Sequence, residues 1–84
     1  MDDVYYNIDA VVENLKTETS INFKLINEMD AEYVAMGEIS EQELLDMGFE
    51  FIGYSDYVKC PMYKLGKNIE AIFDDTILHI YTIL

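Results

Sequence analysis

Wound at 3.6 residues per turn, Val4, Ile8, Val11, Val12 and Leu15 fall within an arc of roughly 100°, which predicts an amphipathic helix over residues 4 to 16 with Asp3 placed to cap it. Residues 17 to 20 are polar and read as a turn. Ile21, Phe23 and Leu25 then alternate with Asn22 and Lys24, as on a half-buried strand near 21 to 26. The next stretch fits two patterns: Leu25, Ile26, Met29, Tyr33 and Met36 share one helical face, whereas Glu28, Asp30 and Glu32 alternate as on a strand. A helix over 28 to 36 is preferred, because Asn27 is a suitable N-cap, Glu28 and Asp30 suit a first turn, and Gly37 can end it. Ser40-Glu41-Gln42-Glu43 is a capping box that opens a second short helix, with Leu44, Leu45 and Met47 inward and Gly48 as terminator.

From Phe49 onward the pattern changes to strands at 49 to 54, 58 to 65, 69 to 73 and 77 to 83, separated by tight turns at Ser55-Asp56, Gly66-Lys67-Asn68 and Asp74-Asp75. Such spacing makes an antiparallel meander. Pro61 has no backbone donor, so its strand is expected to be an edge or to carry a bulge. In the last run Ile77, Tyr81 and Ile83 alternate with Leu78, Ile80 and Leu84; a strand apolar on both faces is either central or an edge covered by a second copy. The expected fold is a small α+β single domain over residues 1 to 84, with about three short helices on one face of a four- to five-stranded, mainly antiparallel sheet. Residues 1 to 48 form its acidic, helix-rich half and residues 49 to 84 its β-meander.

Charge changes this picture from a fold into a binding problem. Seventeen acids face five Lys and no Arg, a net charge of −12. Residues 1 to 50 hold 13 acids and two Lys, a net of −11, while residues 51 to 84 hold four acids and three Lys, a net of −1. Between Lys24 and Lys59 the chain runs for 34 residues without a basic side chain and carries nine carboxylates. Charges this dense repel one another and weaken the compact state unless something outside the chain balances them. Direct nucleic-acid binding and attraction to anionic membranes both need basic groups, and this balance excludes them. A basic protein is the partner expected. Hydrophobic residues at 51% and eleven aromatics argue that the chain folds despite its charge.

The candidate partner-binding residues are Glu28, Asp30, Glu32, Glu38, Glu41, Glu43, Asp46, Glu50 and Asp56, with Tyr54 and Tyr57 flanking Asp56 at a loop tip. Carboxylates two apart on a strand, or three to four apart on a helix, are spaced about 5 to 7 Å, which permits phosphate mimicry. Tyrosine adds contact area at low entropic cost. No catalytic residue is proposed: His79 is the single histidine and lies in a strand, with no serine or cysteine assigned to it by motif. Cys60 has no partner for a disulfide and reads as a reduced, packing thiol. The acids from Glu28 or Asp30 onward lack the glycine and the final glutamate of a calcium loop, so neither metal nor cofactor is expected. No apolar run reaches the 18 or so residues of a membrane span, and Asp2 and Asp3 stand where a signal region would be basic; a soluble cytoplasmic protein is expected.

Leu44-Leu45-Asp46-Met47-Gly48-Phe49 resembles the Met-Gly-Phe loop of ubiquitin-associated domains, but Glu50-Phe51-Ile52-Gly53-Tyr54 continues with strand character where those domains form helices. In size, net charge, lack of Arg and an acidic half beside a small sheet, the whole chain resembles phage-encoded anti-CRISPR proteins and anti-restriction DNA mimics. That resemblance implies a stoichiometric inhibitor, acting in the host bacterial cell, that occupies a basic nucleic-acid groove of a defence nuclease. The same physics serves an immunity protein or antitoxin that neutralises a basic toxin nuclease. A third expectation is a structural protein that dimerises through the apolar strand at 77 to 84.

Overall fold

A computed structural model describes residues 4–56 and 59–83. Asp3, Tyr57 and Leu84, each assigned a role above, lie outside the described residues. The chain forms α1 (Ile8–Thr19), β1 (Phe23–Asn27), β2 (Glu32–Glu38), α2 (Glu41–Asp46), β3 (Glu50–Tyr54), β4 (Pro61–Leu65), β5 (Ile69–Asp74) and β6 (Ile77–Thr82). All strands join one antiparallel sheet in the order β1-β2-β6-β5-β4-β3. The class is α+β as expected, but with two helices and six strands among the described residues rather than three helices and four to five strands.

The difference arises at residues 28 to 36, which do not form a helix. Asn27 does cap, but it caps a turn: its Oδ1 accepts from the Met29 and Asp30 amides at 3.0 and 3.4 Å, and Ala31 then turns left-handed at φ 49°. A nine-residue helix is marginal by itself, because nucleation is costly and its length is too short to recover that cost. As a strand the same stretch finds partners on both sides. Tyr33 stands opposite Leu25 of β1 and Ile80 of β6, and Ala35 lies opposite Phe23 and is buried in the core.

The first helix is also displaced from its expected range. Asn7 rather than Asp3 caps it, accepting from the Ala10 amide at 3.1 Å, and the helix runs on through the polar residues 17 to 19 to a left-handed Ser20. Residues 4 to 6 are drawn away to the β4–β5 turn instead: the Val4 carbonyl accepts from the Lys67 amide, and the Tyr6 amide donates to Asn68 Oδ1 at 2.9 Å. The capping box at Ser40 and Glu43 forms as read, with both reciprocal bonds. Leu44 is buried and Met47 packs beside the core, but Leu45 is exposed rather than inward.

The core lies on one face of the sheet. Val11, Val12 and Leu15 of α1, together with Ile39, Leu44 and Phe49 of the crossover from β2 to β3, cover Tyr63, Leu65, Ile69, Ala71, Leu78 and Ile80. That crossover carries the chain from one half of the sheet to its far edge, so the meander returns through β4 and β5 and sets β6 against β2. β6 is therefore central. Its place between β5 and β2 removes the free edge through which dimerisation at residues 77 to 84 was expected. β4 is interior too; Pro61 is its first residue, opposite Tyr54, where a missing amide costs little, and the register shift sits nearby between Phe51 and Gly53 of β3.

Among the described residues no helix covers the other face, where Val34, His79, Ile72 and Met62 form one row across the sheet and Tyr81, Glu70, Lys64 and Glu50 the next. His79 Nδ1 lies 3.2 Å from Glu32 Oε2, and the Tyr81 hydroxyl donates to Glu70 Oε1 at 2.9 Å. Among the described residues no helix is long and apolar enough to cross a membrane.

Two expectations follow from these contacts. A methyl group on Gly66 (φ 62°) would lie 2.4 Å from the Val4 carbonyl oxygen and 2.6 Å from the Tyr6 ring. Gly66→Ala should cost about 2 kcal/mol in urea unfolding, since it must displace the segment tied to that turn; a change under about 0.5 kcal/mol would show the tie to be dispensable. Burial, and then the bond to Glu70, push the Tyr81 pKa from 10.0 up to about 12. The folded chain holds that proton more tightly than the unfolded chain does. Its contribution is whole below pH 10 and is lost as pH rises from 10 to about 12. Tyr81→Phe should flatten the decline in thermal stability over that window.

Candidate functional site: an aromatic cleft with a carboxylate rim

Alpha helix α2 has only six residues and leaves part of the core face uncovered beside the ends of β3, β4 and β5. The result is an open cleft of about 820 Å³. Its aromatic lining follows from strand register. Phe51 of β3 stands directly opposite Tyr63 of β4, with ring centroids 5.5 Å apart, and Phe73 of β5 is diagonal to Tyr63 at 5.7 Å. Tyr54 meets the edge of Phe51 at 5.5 Å. These edge-to-face contacts link four rings into a continuous lining from buried Tyr63 out to exposed Tyr54.

Four carboxylates lie around these rings, Glu38 at the end of β2, Glu41 and Glu43 on α2, and Asp75 in the β5–β6 turn, against one ammonium, Lys59. Glu41 accepts from the Tyr63 hydroxyl. Burial, and then that bond, push the Tyr63 pKa well above its ordinary value, so the phenol stays protonated and holds Glu41 over the aromatic floor. Glu43 Oε1 is engaged by the Ser40 amide at 2.9 Å and the Ser40 hydroxyl at 3.1 Å. Among the described residues, neither Glu38 nor Asp75 has a hydrogen-bond or ion-pair partner. Cys60 is buried in the wall. Nowhere among the described residues do three His, Cys, Asp or Glu side chains gather as a metal site.

The structure divides the candidate residues read from the sequence. Glu38, Glu41, Glu43 and Tyr54 meet at the cleft. Asp46 is on the same short helix, accepting from Gln42 Nε2 at 2.9 Å. Asp56 is exposed just beyond β3. Glu28 and Asp30 belong to the β1–β2 turn at the opposite end of the sheet. Glu32 and Glu50 lie on the uncovered face, Glu32 beside His79 and Glu50 opposite Lys64. Phe51, Tyr63, Phe73 and Asp75 were not singled out from the sequence; only the pairing register brings them together. No family model, curated protein sequence or solved structure matches this chain.

The turn that supplies Asp75 is strained. Asp75 and Thr76 have φ of 54° and 75°, the left-handed pair that a two-residue hairpin needs, and a β-branched residue fits that region poorly. Thr76→Gly should therefore raise stability by about 1 kcal/mol in chemical denaturation. A loss would mean that the Thr76 side chain contributes more in the cleft wall than the backbone strain costs.

Proposed function

We propose that this chain is a stoichiometric protein inhibitor that binds a basic, nucleic-acid-binding groove of a defence nuclease and presents carboxylates where phosphates would lie. The observation that carries the reading is the unbalanced charge of the folded molecule. Among the described residues, no Lys forms an ion pair with any acid of the segment between Lys24 and Lys59. His79 meets Glu32, and otherwise these acids bond only to neutral groups, such as Tyr63, Ser40, Gln42 and Asn27. An acidic surface that served only solubility would carry interspersed cations. Here Lys59 at the cleft and Lys64 opposite Glu50 are too few to balance these acids, which favours a cationic partner.

The cleft adds shape to the charge. Tyr54 and Phe51 are exposed aromatic groups next to carboxylates, the pairing that protein interfaces use to anchor basic side chains. The target's cations would steer encounter over long range, and association would slow steeply as salt rises.

The test combines capture and competition. Immobilised chain should retain a basic nuclease from host lysate at low salt and release it at high salt, and the purified nuclease should lose nucleic-acid binding at one equivalent of inhibitor. Changing Glu38, Asp46 and Asp56, exposed carboxylates outside the capping box, together to Lys should reduce potency at least about a hundredfold while circular dichroism stays unchanged. Undiminished potency in that variant, or retention indifferent to salt, would sink the reading.

A further inference from the structure

We infer that the cleft beside α2 is a seat for one arginine side chain of the basic partner. This deepens the proposed function and rests on it: the partner is basic, and the cleft specifies which of its side chains enters and where.

The argument begins with the lining. At about 820 Å³ the cleft is within the roughly 300–1,000 Å³ usual for ligand sites, so it accepts a side chain together with adjoining backbone. Its floor is aromatic and its rim carries four carboxylates against Lys59, so it is net anionic. Carboxylates exclude a phosphate or an acidic peptide, and among the described residues no three of them gather closely enough to ligate a calcium or magnesium ion. An organic cation satisfies both parts at once. Between the two cationic side chains, lysine is a strongly hydrated point charge, and burying it over rings sacrifices that hydration. A guanidinium is planar and weakly hydrated; it can stack on Phe51 or Tyr54 while its fork of donors reaches carboxylates.

The acceptors are available. Glu41 is fixed by Tyr63 and Glu43 by Ser40, so neither must be ordered when the ligand arrives. Glu38 and Asp75, from different elements on the cleft lining, have lone pairs uncommitted to other described residues. A second copy of this chain cannot supply the guest, because the sequence contains no Arg.

The experiment is a titration of the isotopically labelled full chain, followed by amide resonances, with three blocked tripeptides that carry arginine, lysine or citrulline between glycines. The arginine peptide should move amides of the cleft residues, Phe51, Tyr54, Tyr63 and Thr76 among them, and bind about tenfold more tightly than the lysine peptide, while the uncharged citrulline peptide moves none. The double variant Glu38→Gln with Asp75→Asn, both at exposed positions, should weaken the arginine peptide about tenfold and leave the remaining spectrum in place. Cleft amides that stay still at about 10 mM arginine peptide, or equal shifts from arginine and lysine peptides spread over all the acids, would overturn the seat. The two readings fail separately. Arginine seated in the cleft without any nuclease being blocked removes the inhibitor alone; nuclease inhibition undiminished in the double variant removes the seat alone.

Discussion

Everything in this structure depends on β6 having a neighbour on each side. It is the last strand in sequence and the one that joins the N-terminal hairpin to the C-terminal meander, with Tyr33 and Val34 of β2 on one flank and Ala71 and Ile72 of β5 on the other. Leu78 and Ile80 are fully buried at that junction. A chain of 84 residues has too little interior to hold two cores, so acidic and neutral halves must share one. The crossover from β2 to β3 makes this work: by passing over the core face it supplies Ile39, Leu44 and Phe49 as cover and delivers β3 to the far edge.

That economy of cover also creates the cleft. The cleft lies at the N-terminal end of the six-residue α2, where Ile39, Ser40, Glu41 and Glu43 line it and the edge of the core remains open to solvent. Carboxylates gather there because they cap and border short elements: Glu43 completes the capping box, Glu38 ends β2, and Asp75 makes a tight turn. Roles in folding and the proposed role in binding thus fall on the same side chains.

Local signals in the sequence were legible wherever a short element carries its own boundary. The capping box at Ser40 and the meander after Phe49 follow from residues a few positions apart, whereas the last strand read as either central or a covered edge until its neighbours were known. What sequence could not supply was register. Residues 28 to 36 satisfy helical and strand periodicity equally, and the choice is made by β6, more than 40 residues away, whose edge β2 completes. The acids were legible as a set but not as a surface. Glu38, Glu41 and Glu43 converge with Asp75, which lies over 30 residues further on, while Glu28 and Asp30, closer in sequence, belong to the other end of the sheet. Asn27 was read as a helix N-cap and instead holds an Asx turn; the two use the same side-chain bond, so the residue alone does not distinguish them.

This separation of charges bears on how the chain would engage a basic surface. The seven residues of β2 span about 20 Å from the Glu28–Asp30 turn to Glu38. At physiological ionic strength the screening length is about 8 Å, so carboxylates at the far end contribute little to a contact made at the cleft. Under the proposed function they would act earlier, in the long-range field that orients two charged molecules as they approach. Close-range selectivity then falls to groups near the aromatic lining, where water is displaced and the same charges interact more strongly. A surface that is acidic all over cannot by itself discriminate one basic protein from another. An aromatic lining with carboxylates around it could, because it would favour a cation of particular shape at one place, and under the proposed function the rest of the net charge would bring that cation within reach.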